Sequence, residues 1–198
     1  MPEQPRPTSA GDLKRLLGAA LPTIRGDGVE LRALGEDDVP ALFEIFGDAE
    51  VARYWSRDPF ASLEVAREFL GEIQEGFATG RLFQWGILPA ALGRIVGTCT
   101  LFQFDLAHRR CEIGFALGRA FWGRGIASNA VASVLRFAFE ELQLHRVEAD
   151  ADPRNARSLA LLERLGFRRE GVLRERYLVN GELQDAVVLG LLASERRL

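Results

Sequence analysis

The residues best suited to chemistry lie in a glycine-rich turn that joins a strand-like run to a helix-like run. Gly123 and Gly125 flank Arg124, and Ile126 and Ala127 begin the helical pattern directly after them. Glycine lets backbone N–H groups face a ligand with no Cβ in the way, and a helix N-terminus adds unpaired N–H groups and a positive dipole end. The turn therefore predicts an anion site suited to a diphosphate. The alternative is a tight turn in which glycine only permits close packing.

A second pair of polar residues opens the next predicted helix, where Asn155 precedes Ser158 by about one helical turn. Each residue has a structural interpretation: Asn155 can cap the helix, and the Ser158 hydroxyl can contact the backbone of the first turn. Asp152 and Pro153 can themselves begin this helix, so the sequence does not require Asn155 as its cap. Both residues therefore stay open as ligand contacts.

The elements that must position these residues follow from the hydrophobic periodicity. Helical spacing of apolar residues begins after Asp37 and Asp38, after Ser62, after the glycine turn and after Asn155. Predicted strands occupy residues 29–34, 82–88, 94–104, 111–117, 145–151, 168–179 and 182–192.

The order of these elements decides the type of sheet. The strand–helix–strand crossover from residues 111–117 to 145–151 requires one parallel pair. Asn180-Gly181 is a strong signal for a hairpin between the last two strands. The sequence therefore predicts an α/β (α+β) fold with a mixed, mostly antiparallel seven-stranded sheet and helices on both faces.

The glycine turn also resembles a known family. Residues 112–127 read Glu-Ile-Gly-Phe-Ala-Leu-Gly-Arg-Ala-Phe-Trp-Gly-Arg-Gly-Ile-Ala. This segment resembles the coenzyme A loop of the GCN5-related N-acetyltransferase (GNAT) superfamily, whose pattern is Gln/Arg-x-x-Gly-x-Gly/Ala. Ala120 stands where the pattern has Gln or Arg, with Arg119 directly before it. The form with Trp122 before the glycines resembles the branch of ribosomal-protein-alanine and ribosomal-protein-serine N-acetyltransferases.

Two further stretches resemble the same superfamily. Asn155-Ala-Arg-Ser158 followed by Glu163-Arg-Leu-Gly-Phe167 is similar to its Asn-x-x-Ser…Glu-Lys-x-Gly-Phe pattern. Residues 177–185 are similar to a hairpin of the ribosomal-protein branch, and the resemblance covers residues 21–192. It implies a splayed central parallel pair, acetyl-CoA as co-substrate, no metal, and direct transfer of acetyl to a primary amine.

The resemblance also implies which residues hold acetyl-CoA. Backbone N–H groups of Ile113, Gly114 and Phe115 are implied at the thioester oxygen, where charge develops during transfer. Asn155 is implied at the pantetheine arm, and Ser158 near the thiol. The residues implied at the diphosphate are Arg119, Gly123, Arg124, Gly125, Ile126 and Ala127.

The catalytic residues are inferred from the same resemblance. Ser158 is implied as the proton donor to the leaving thiolate, because Leu162 occupies the position where many relatives have a tyrosine. Glu112 is the first candidate for the general base, because it lies beside the expected acetyl group; the alternative is a solvent-facing strand residue. Tyr177 stands where the branch has a second carboxylate, and Glu175 is predicted on the same strand face, so both are candidates on the acceptor side.

The acceptor is predicted to be the α-amine of a protein or peptide. An α-amine with a pKa near 8 is about one-tenth neutral at pH 7, whereas a lysine amine with a pKa near 10.4 loses its proton at a cost of roughly 4 kcal/mol. Tyr54 and Trp55 are expected on the loops that wall the acceptor side, or else in the core. The alternatives are a small amine, amino acid or antibiotic as acceptor, a non-catalytic acetyl-CoA-binding module, and a nucleotide site. A nucleotide-binding Rossmann fold is disfavoured because it places Gly-x-Gly-x-x-Gly early in a repeating β-α pattern.

The remaining candidate nucleophiles and bases are predicted to be structural. His108 is expected in a turn and His145 at the start of a strand. Cys99 and Cys111 lie in apolar runs and are predicted to be buried. Two cysteines do not form a disulfide framework, which fits a reducing cytoplasm.

The composition limits the number of domains and the kinds of partner that can be expected. The chain has 198 residues, 47% of them hydrophobic, and a net charge of -3, which favours one domain and disfavours nucleic acid as a partner. No apolar run approaches the roughly 20 residues that span a bilayer, so a cytoplasmic protein without a membrane partner is predicted. Residues 1–20 are predicted as a partly disordered arm with a short helix, and residues 21–194 as the acetyltransferase domain. The oligomeric state is left open between monomer and homodimer.

Overall fold

The structure, a computed structural model, describes residues 7, 9–55, 57–179 and 181–196. Its α-helices are α1 (Ala10–Leu17), α2 (Val39–Phe46), α3 (Ala49–Ala52), α4 (Leu63–Ala78), α5 (Ile126–Glu140) and α6 (Ala156–Arg164). Its strands are β1 (Ile24–Gly26), β2 (Val29–Ala33), β3 (Leu82–Pro89), β4 (Gly97–Asp105), β5 (Arg110–Leu117), β6 (Arg146–Ala151), β7 (Arg168–Val179) and β8 (Glu182–Leu192). Among these elements no helix has the length and apolar character needed to cross a membrane.

The strands form one sheet in the order β1-β2-β3-β4-β5-β6-β8-β7. Within the described residues β5 and β6 pair in parallel and the other neighbouring strands pair antiparallel. Helix α5 makes the crossover between the two parallel strands, so the predicted mixed α/β fold is confirmed.

The predicted number of strands was wrong, because the sheet has eight strands rather than seven. The additional strand is β1, which pairs with β2 from Ile24↔Leu31 to Gly26↔Val29. Asp27 and Gly28 form the connecting loop, and Gly28 has a φ of +67°. Asp-Gly is a favoured pair for such a tight hairpin, so the sequence carries a local signal for this strand pair.

Two hydrophobic clusters cover the two faces of the sheet. Along β3, Phe83, Trp85 and Ile87 belong to the larger cluster, which also contains residues of α1, α5 and α6. Leu82 and Leu88 point the other way, to a cluster formed mainly by α2 and α4. Neighbouring side chains of a strand face opposite sides, so the helices pack on both faces, as predicted.

The parallel pair separates partway along its length. The ladder between β5 and β6 consists of Arg110↔Arg146, Cys111↔Val147 and Glu112↔Glu148, although β5 continues to Leu117 and β6 to Ala151. On the other side of β5, strand β4 carries a bulge between Phe102 and Asp105, where Gln103 has a φ of +51°. A bulge adds local twist to a strand. The predicted splay of the central pair is thereby confirmed.

The N-terminal arm and the turn of the last hairpin each include residues outside the described part of the chain. The predicted helix of the N-terminal arm is α1, and Leu13 on it is fully buried in the larger cluster. Predicted disorder at residues 1–10 falls largely on residues outside the described part of the chain. Asn180 of the predicted hairpin also lies outside it, while the flanking residues pair as Val179↔Glu182 and Gly181 has a φ of +78°.

Candidate active site

The glycine turn leads from the end of β5 into the first turn of α5. Gly123 has a φ of +74° and Gly125, at the N-cap of α5, a φ of +78°. Only glycine adopts these values without strain. A Cβ added at either residue would have no atom within 4 Å, so open space lies beside both. The first backbone N–H groups of α5 have no partner within the helix, and this combination fits a diphosphate.

Aromatic and arginine side chains hold the turn in place. The Trp122 indole N–H donates to the Leu117 carbonyl oxygen at 2.6 Å, which ties the turn to the end of β5. The Arg157 guanidinium, from the first turn of α6, lies 4.7 Å from the centre of the Trp122 ring. Arg124 lies 5.9 Å from the centre of the Phe121 ring. Arg157 was not among the predicted residues, and its contact joins α6 to the glycine turn.

Ile113, Gly114 and Phe115 lie in the splayed part of β5, immediately beyond the last residue that pairs with β6. Their pairing with β4 continues through Leu101, Thr100 and Cys99. The Ile113 side chain is buried in the larger cluster. Beyond Glu112 the edge of β5 that faces β6 is not paired with it. A further extended segment can therefore lie along this edge.

The start of α6 lies beside the glycine turn, because Arg157 in its first turn contacts the Trp122 ring. The Asn155 side-chain oxygen accepts from the Ser158 N–H at 3.1 Å, so Asn155 does cap the helix. Its NH₂ group is a separate donor, so the cap and a ligand contact are compatible. The Ser158 hydroxyl makes no hydrogen bond to any residue that the structure describes. Leu162 is buried in the larger cluster.

Glu112 is the last residue of β5 in the parallel ladder, and its side chain is half-buried. Burial raises its pKa, and the charges of Asp150 and Glu148 raise it further; Arg176 and Arg110 act in the opposite direction. Among the described residues no arginine lies within ion-pairing distance of Glu112. A carboxylate in this environment is a stronger base than an exposed one.

Glu148 lies opposite Glu112 and differs from it in its partners. Arg110 donates to Glu148 at 2.8 Å and Arg146 at 2.7 Å, and Arg146 also binds Glu170. The charge of Glu148 is therefore balanced by a ladder of ion pairs across β5, β6 and β7. These ion pairs lie on the face of β6 opposite the buried Val147 and Ala149.

Tyr177 and Glu175 on β7 occupy different environments. Tyr177 is half-buried and donates its hydroxyl to the Asp150 carboxylate; burial, this hydrogen bond and the charge of Asp150 raise its pKa to about 12. Glu175 lies in a bulge between Leu173 and Tyr177, with a φ of +52°, and its side chain is exposed. Regular strand alternation is interrupted there, so the spacing of two residues does not determine a common face, and the placement of Glu175 beside Tyr177 stays a prediction.

Tyr54 and Trp55 also lie in different surroundings. The Tyr54 hydroxyl lies 3.4 Å from the Arg154 carbonyl oxygen, so this residue reaches the segment before α6. Trp55 packs among aromatic residues of the smaller cluster, 4.5 Å from Phe46 between ring centres. Trp55 therefore has the core position that was the alternative at the sequence level.

The other candidate groups have structural surroundings. The exposed His108 ring nitrogen Nδ1 lies 3.0 Å from Asp105 in the turn before β5. Cys99 and Cys111 are free and buried, and burial raises the pKa of each thiol. The described residues contain no cluster of His, Cys, Asp and Glu that could hold a metal ion.

Asp150 was not predicted from the sequence. Residues 146–150 alternate polar and apolar, and this alternation is the signal that Glu148 and Asp150 share the face opposite the buried Val147 and Ala149. The contact with Tyr177 has no comparable signal, because it depends on the register of β7.

The comparisons with known proteins agree with this geometry. Residues 29–168 match the profile of the acetyltransferase (GNAT) domain family. An uncharacterized N-acetyltransferase p20 from Bacillus licheniformis is 33% identical over 87% of this chain and 97% of that protein. A [ribosomal protein uS5]-alanine N-acetyltransferase from Escherichia coli is 29% identical over 62% of this chain and 63% of that protein. A spermidine N(1)-acetyltransferase from Vibrio cholerae is 25% identical over 83% and 93%.

A solved structure resembles the fold as a whole. Mycobacterium smegmatis RimJ in complex with CoA-disulfide has a TM-score of 0.80 at 26% identity, covering 89% of this chain and 88% of that one. Family profile, curated relatives and fold thus point the same way. The chain belongs to the GNAT acetyltransferase family and is an acetyl-CoA-dependent N-acetyltransferase.

Proposed function

We propose that this enzyme transfers acetyl to the α-amine of a protein or peptide N-terminus, with Glu112 as the base. The observation that carries the proposal is the end of the parallel ladder at Glu112↔Glu148. There the gap between β5 and β6 opens beside a half-buried carboxylate. The glycine turn at Gly123 and Gly125 lies beyond the far end of β5. Cofactor site, gap and base are therefore arranged along one strand.

In this proposal the turn and the first residues of α5 hold the diphosphate of acetyl-CoA. Open space at both glycines lets the phosphate oxygens approach the backbone. The splayed residues of β5 bond the thioester carbonyl, and the Asn155 NH₂ group contacts the pantetheine arm. The residues assigned to the cofactor are Ile113, Gly114, Phe115, Arg119, Gly123, Arg124, Gly125, Ile126, Ala127, Asn155 and Ser158.

Two side chains are assigned to proton transfer. Glu112 accepts the proton that the acceptor nitrogen loses, and its raised pKa suits that role at neutral pH. Ser158 donates to the leaving sulfur, because its hydroxyl is not used by the helix cap. A thiolate is a tolerable leaving group, with a thiol pKa of about 8.5, so a weak acid suffices.

The acceptor is assigned from chemistry and from one relative. An α-amine with a pKa near 8 is partly neutral at pH 7 and needs less help from the base than a lysine amine with a pKa near 10.4. The relative from Escherichia coli is named for the alanine of a ribosomal protein. Tyr54 and Tyr177 are assigned to the walls of the acceptor site, because they contact the two ends of the segment from Asp150 to Arg154.

A polyamine is the second candidate acceptor. The relative from Vibrio cholerae is named a spermidine acetyltransferase, and Glu112 and Asp150 bring negative charge that attracts a cationic amine. A polyamine makes a greater demand on the base than an α-amine, because its primary amines are alkyl amines like that of lysine and are almost fully protonated at pH 7.

Initial rates with detection of the released thiol decide between them. The panel is a peptide with N-terminal Ala or Ser, the same peptide with a blocked N-terminus and an internal lysine, and spermidine. We expect kcat/KM for the free N-terminus to exceed the other two at least tenfold, roughly the discrimination that one lost polar contact produces. A preference for spermidine would transfer the assignment to the second candidate.

A further inference from the structure

Asp150 lies on β6 just past the point where the parallel strands separate. Glu112 pairs with Glu148 in the last step of the ladder, and Asp150 is the next residue of β6 on the same face. Asp150 itself still pairs with Val188 of β8, so its backbone is fixed. Its carboxylate therefore belongs to the open side of the gap, on the same face as Glu112.

Tyr177 reaches this carboxylate from the outer strand of the hairpin. Leu173 pairs with Ala186 and Tyr177 with Gln184, so β7 has more residues than β8 between these pairs. Beyond this bulge the half-buried Tyr177 donates its hydroxyl to Asp150. Tyr177 therefore fixes the position of the Asp150 carboxylate.

Among the charged groups around Glu112, Asp150 influences it most. Glu148 is nearer in the ladder, but Arg110 and Arg146 both donate to it and balance its charge. Asp150 accepts from a neutral hydroxyl, and within the described residues it has no ion pair. Among neighbouring charges its effect on the Glu112 pKa is the largest, after burial itself. The charged groups that act on Glu112 are Arg110 on β5, Glu148 and Asp150 on β6, and Arg176 on β7.

We propose that Asp150, held by the Tyr177 hydroxyl, is a positioning residue that keeps Glu112 basic enough to take the proton of the acceptor amine. This inference rests on the proposed role of Glu112. During transfer the nitrogen lone pair forms the bond to the acetyl carbon, and the electron pair of the C–S bond leaves with sulfur. The N–H proton passes to the Glu112 carboxylate, while sulfur takes a proton from Ser158 or water. A base of higher pKa assists this step more strongly.

The test measures the protonation of Glu112 directly. The side-chain carboxyl carbons of glutamate are labelled with ¹³C and titrated by NMR, and Glu112→Gln identifies the signal. Asp150→Asn removes the charge and keeps the shape, so we expect the pKa of Glu112 to fall by about 0.5–1 unit. The kcat with an α-amine peptide at pH 7 should fall about three- to tenfold, with acetyl-CoA affinity unchanged. Tyr177→Phe should change both quantities in the same direction by a smaller amount.

Glu68→Gln is the control, because it removes one exposed carboxylate from α4 that forms no ion pair among the described residues. It should leave the pKa of Glu112 and kcat unchanged. If Asp150→Asn and Tyr177→Phe leave the pKa of Glu112 at its wild-type value, the inference is wrong. A lowered pKa with unchanged kcat would also overturn it. If Glu112→Gln itself has wild-type kcat, the proposed base has failed, and that outcome is separate from the electrostatic one.

Discussion

At the scale of single residues, the proposed mechanism depends on Glu112, a carboxylate with few partners. Glu112→Gln preserves the shape of the side chain and removes the proton acceptor. With a lysine-like amine at pH 7 we expect the rate to fall about 10²–10⁴-fold, the usual contribution of general-base catalysis. With an α-amine the fall should be smaller, because more of the acceptor is already neutral. Initial rates at fixed, saturating acetyl-CoA measure both.

The pH dependence of this variant gives the sharper result. Without a base, the reaction depends on amine that has lost its proton to solvent. The rate of Glu112→Gln should therefore rise with pH along the titration curve of the acceptor, and the defect should shrink above its pKa. Wild-type rates at pH 7 with every acceptor would show that Glu112 is not the base.

The proposed acid at Ser158 predicts a different kinetic pattern. Ser158→Ala should lower kcat about tenfold or more while changing the Kd for acetyl-CoA little, because a proton donor acts mainly in the transition state. The helix cap should survive, since it uses the backbone N–H of Ser158 and not the hydroxyl. Ser194→Ala, on the exposed chain after β8, is the control. Equal losses in kcat and affinity, or no loss, would leave Ser158 with a structural role only.

The sequence indicated part of this site and not the rest, for reasons visible in individual residues. Glu112, Asn155 and Ser158 stand in local motifs, so their positions could be predicted. The contact between Tyr177 and Asp150 joins residues from different strands and depends on a bulge at Glu175. No glycine marks that bulge, and a non-glycine residue with positive φ has no strong sequence signature.

At the scale of elements, the proposed site depends on the point where β5 and β6 stop pairing. The crossover through α5 made the parallel pair predictable, because its length and handedness follow general rules. The end of the ladder at Glu112 was available only from resemblance to a family, since the bulge at Gln103 lacks a glycine signal. The hairpin of β1 and β2 had a local signal in Asp27-Gly28. A tight turn is thus easier to predict from the sequence than the residue at which two strands stop pairing.

The glycine turn makes a prediction at this scale. Gly125→Val should raise the Kd for acetyl-CoA at least about tenfold, because the new side chain fills the open space and strains a residue with a φ of +78°. Isothermal titration calorimetry measures the affinity, and circular dichroism checks the fold.

Gly93→Val separates strain from ligand contact. Gly93 also has a positive φ, +65°, and open space beside it, but it lies in the loop between β3 and β4. This variant should lose a comparable amount of stability and keep the affinity for acetyl-CoA. If Gly125→Val binds acetyl-CoA as tightly as Gly93→Val does, the turn is not the diphosphate site.

At the scale of the whole molecule, the two hydrophobic clusters stabilise opposite faces of the sheet. The larger cluster contains residues of α5 and α6, which begin at the glycine turn and at Asn155, so its packing fixes the position of the proposed cofactor site. The smaller cluster holds α2, α4 and the aromatic group around Trp55. Strand alternation predicted both faces. Whether the N-terminal arm joins either of them could not be read from the sequence, because a short amphipathic helix can pack at several places.

In the structure α1 packs in the larger cluster, and this packing can be tested by stability. Leu13 on α1 is 0% exposed, whereas Leu16 on the same helix is 38% exposed. Leu13→Ala should therefore lower the free energy of unfolding by about 2–4 kcal/mol, through lost burial and the cavity left behind. Leu16→Ala should lower it by less than about 1 kcal/mol, because the Leu16 side chain is partly exposed and its removal leaves no buried cavity. Urea titration followed by fluorescence of the tryptophans measures both. Equal effects of the two substitutions would mean that α1 does not pack on the sheet in solution, and residues 1–20 would then be an arm outside the folded domain.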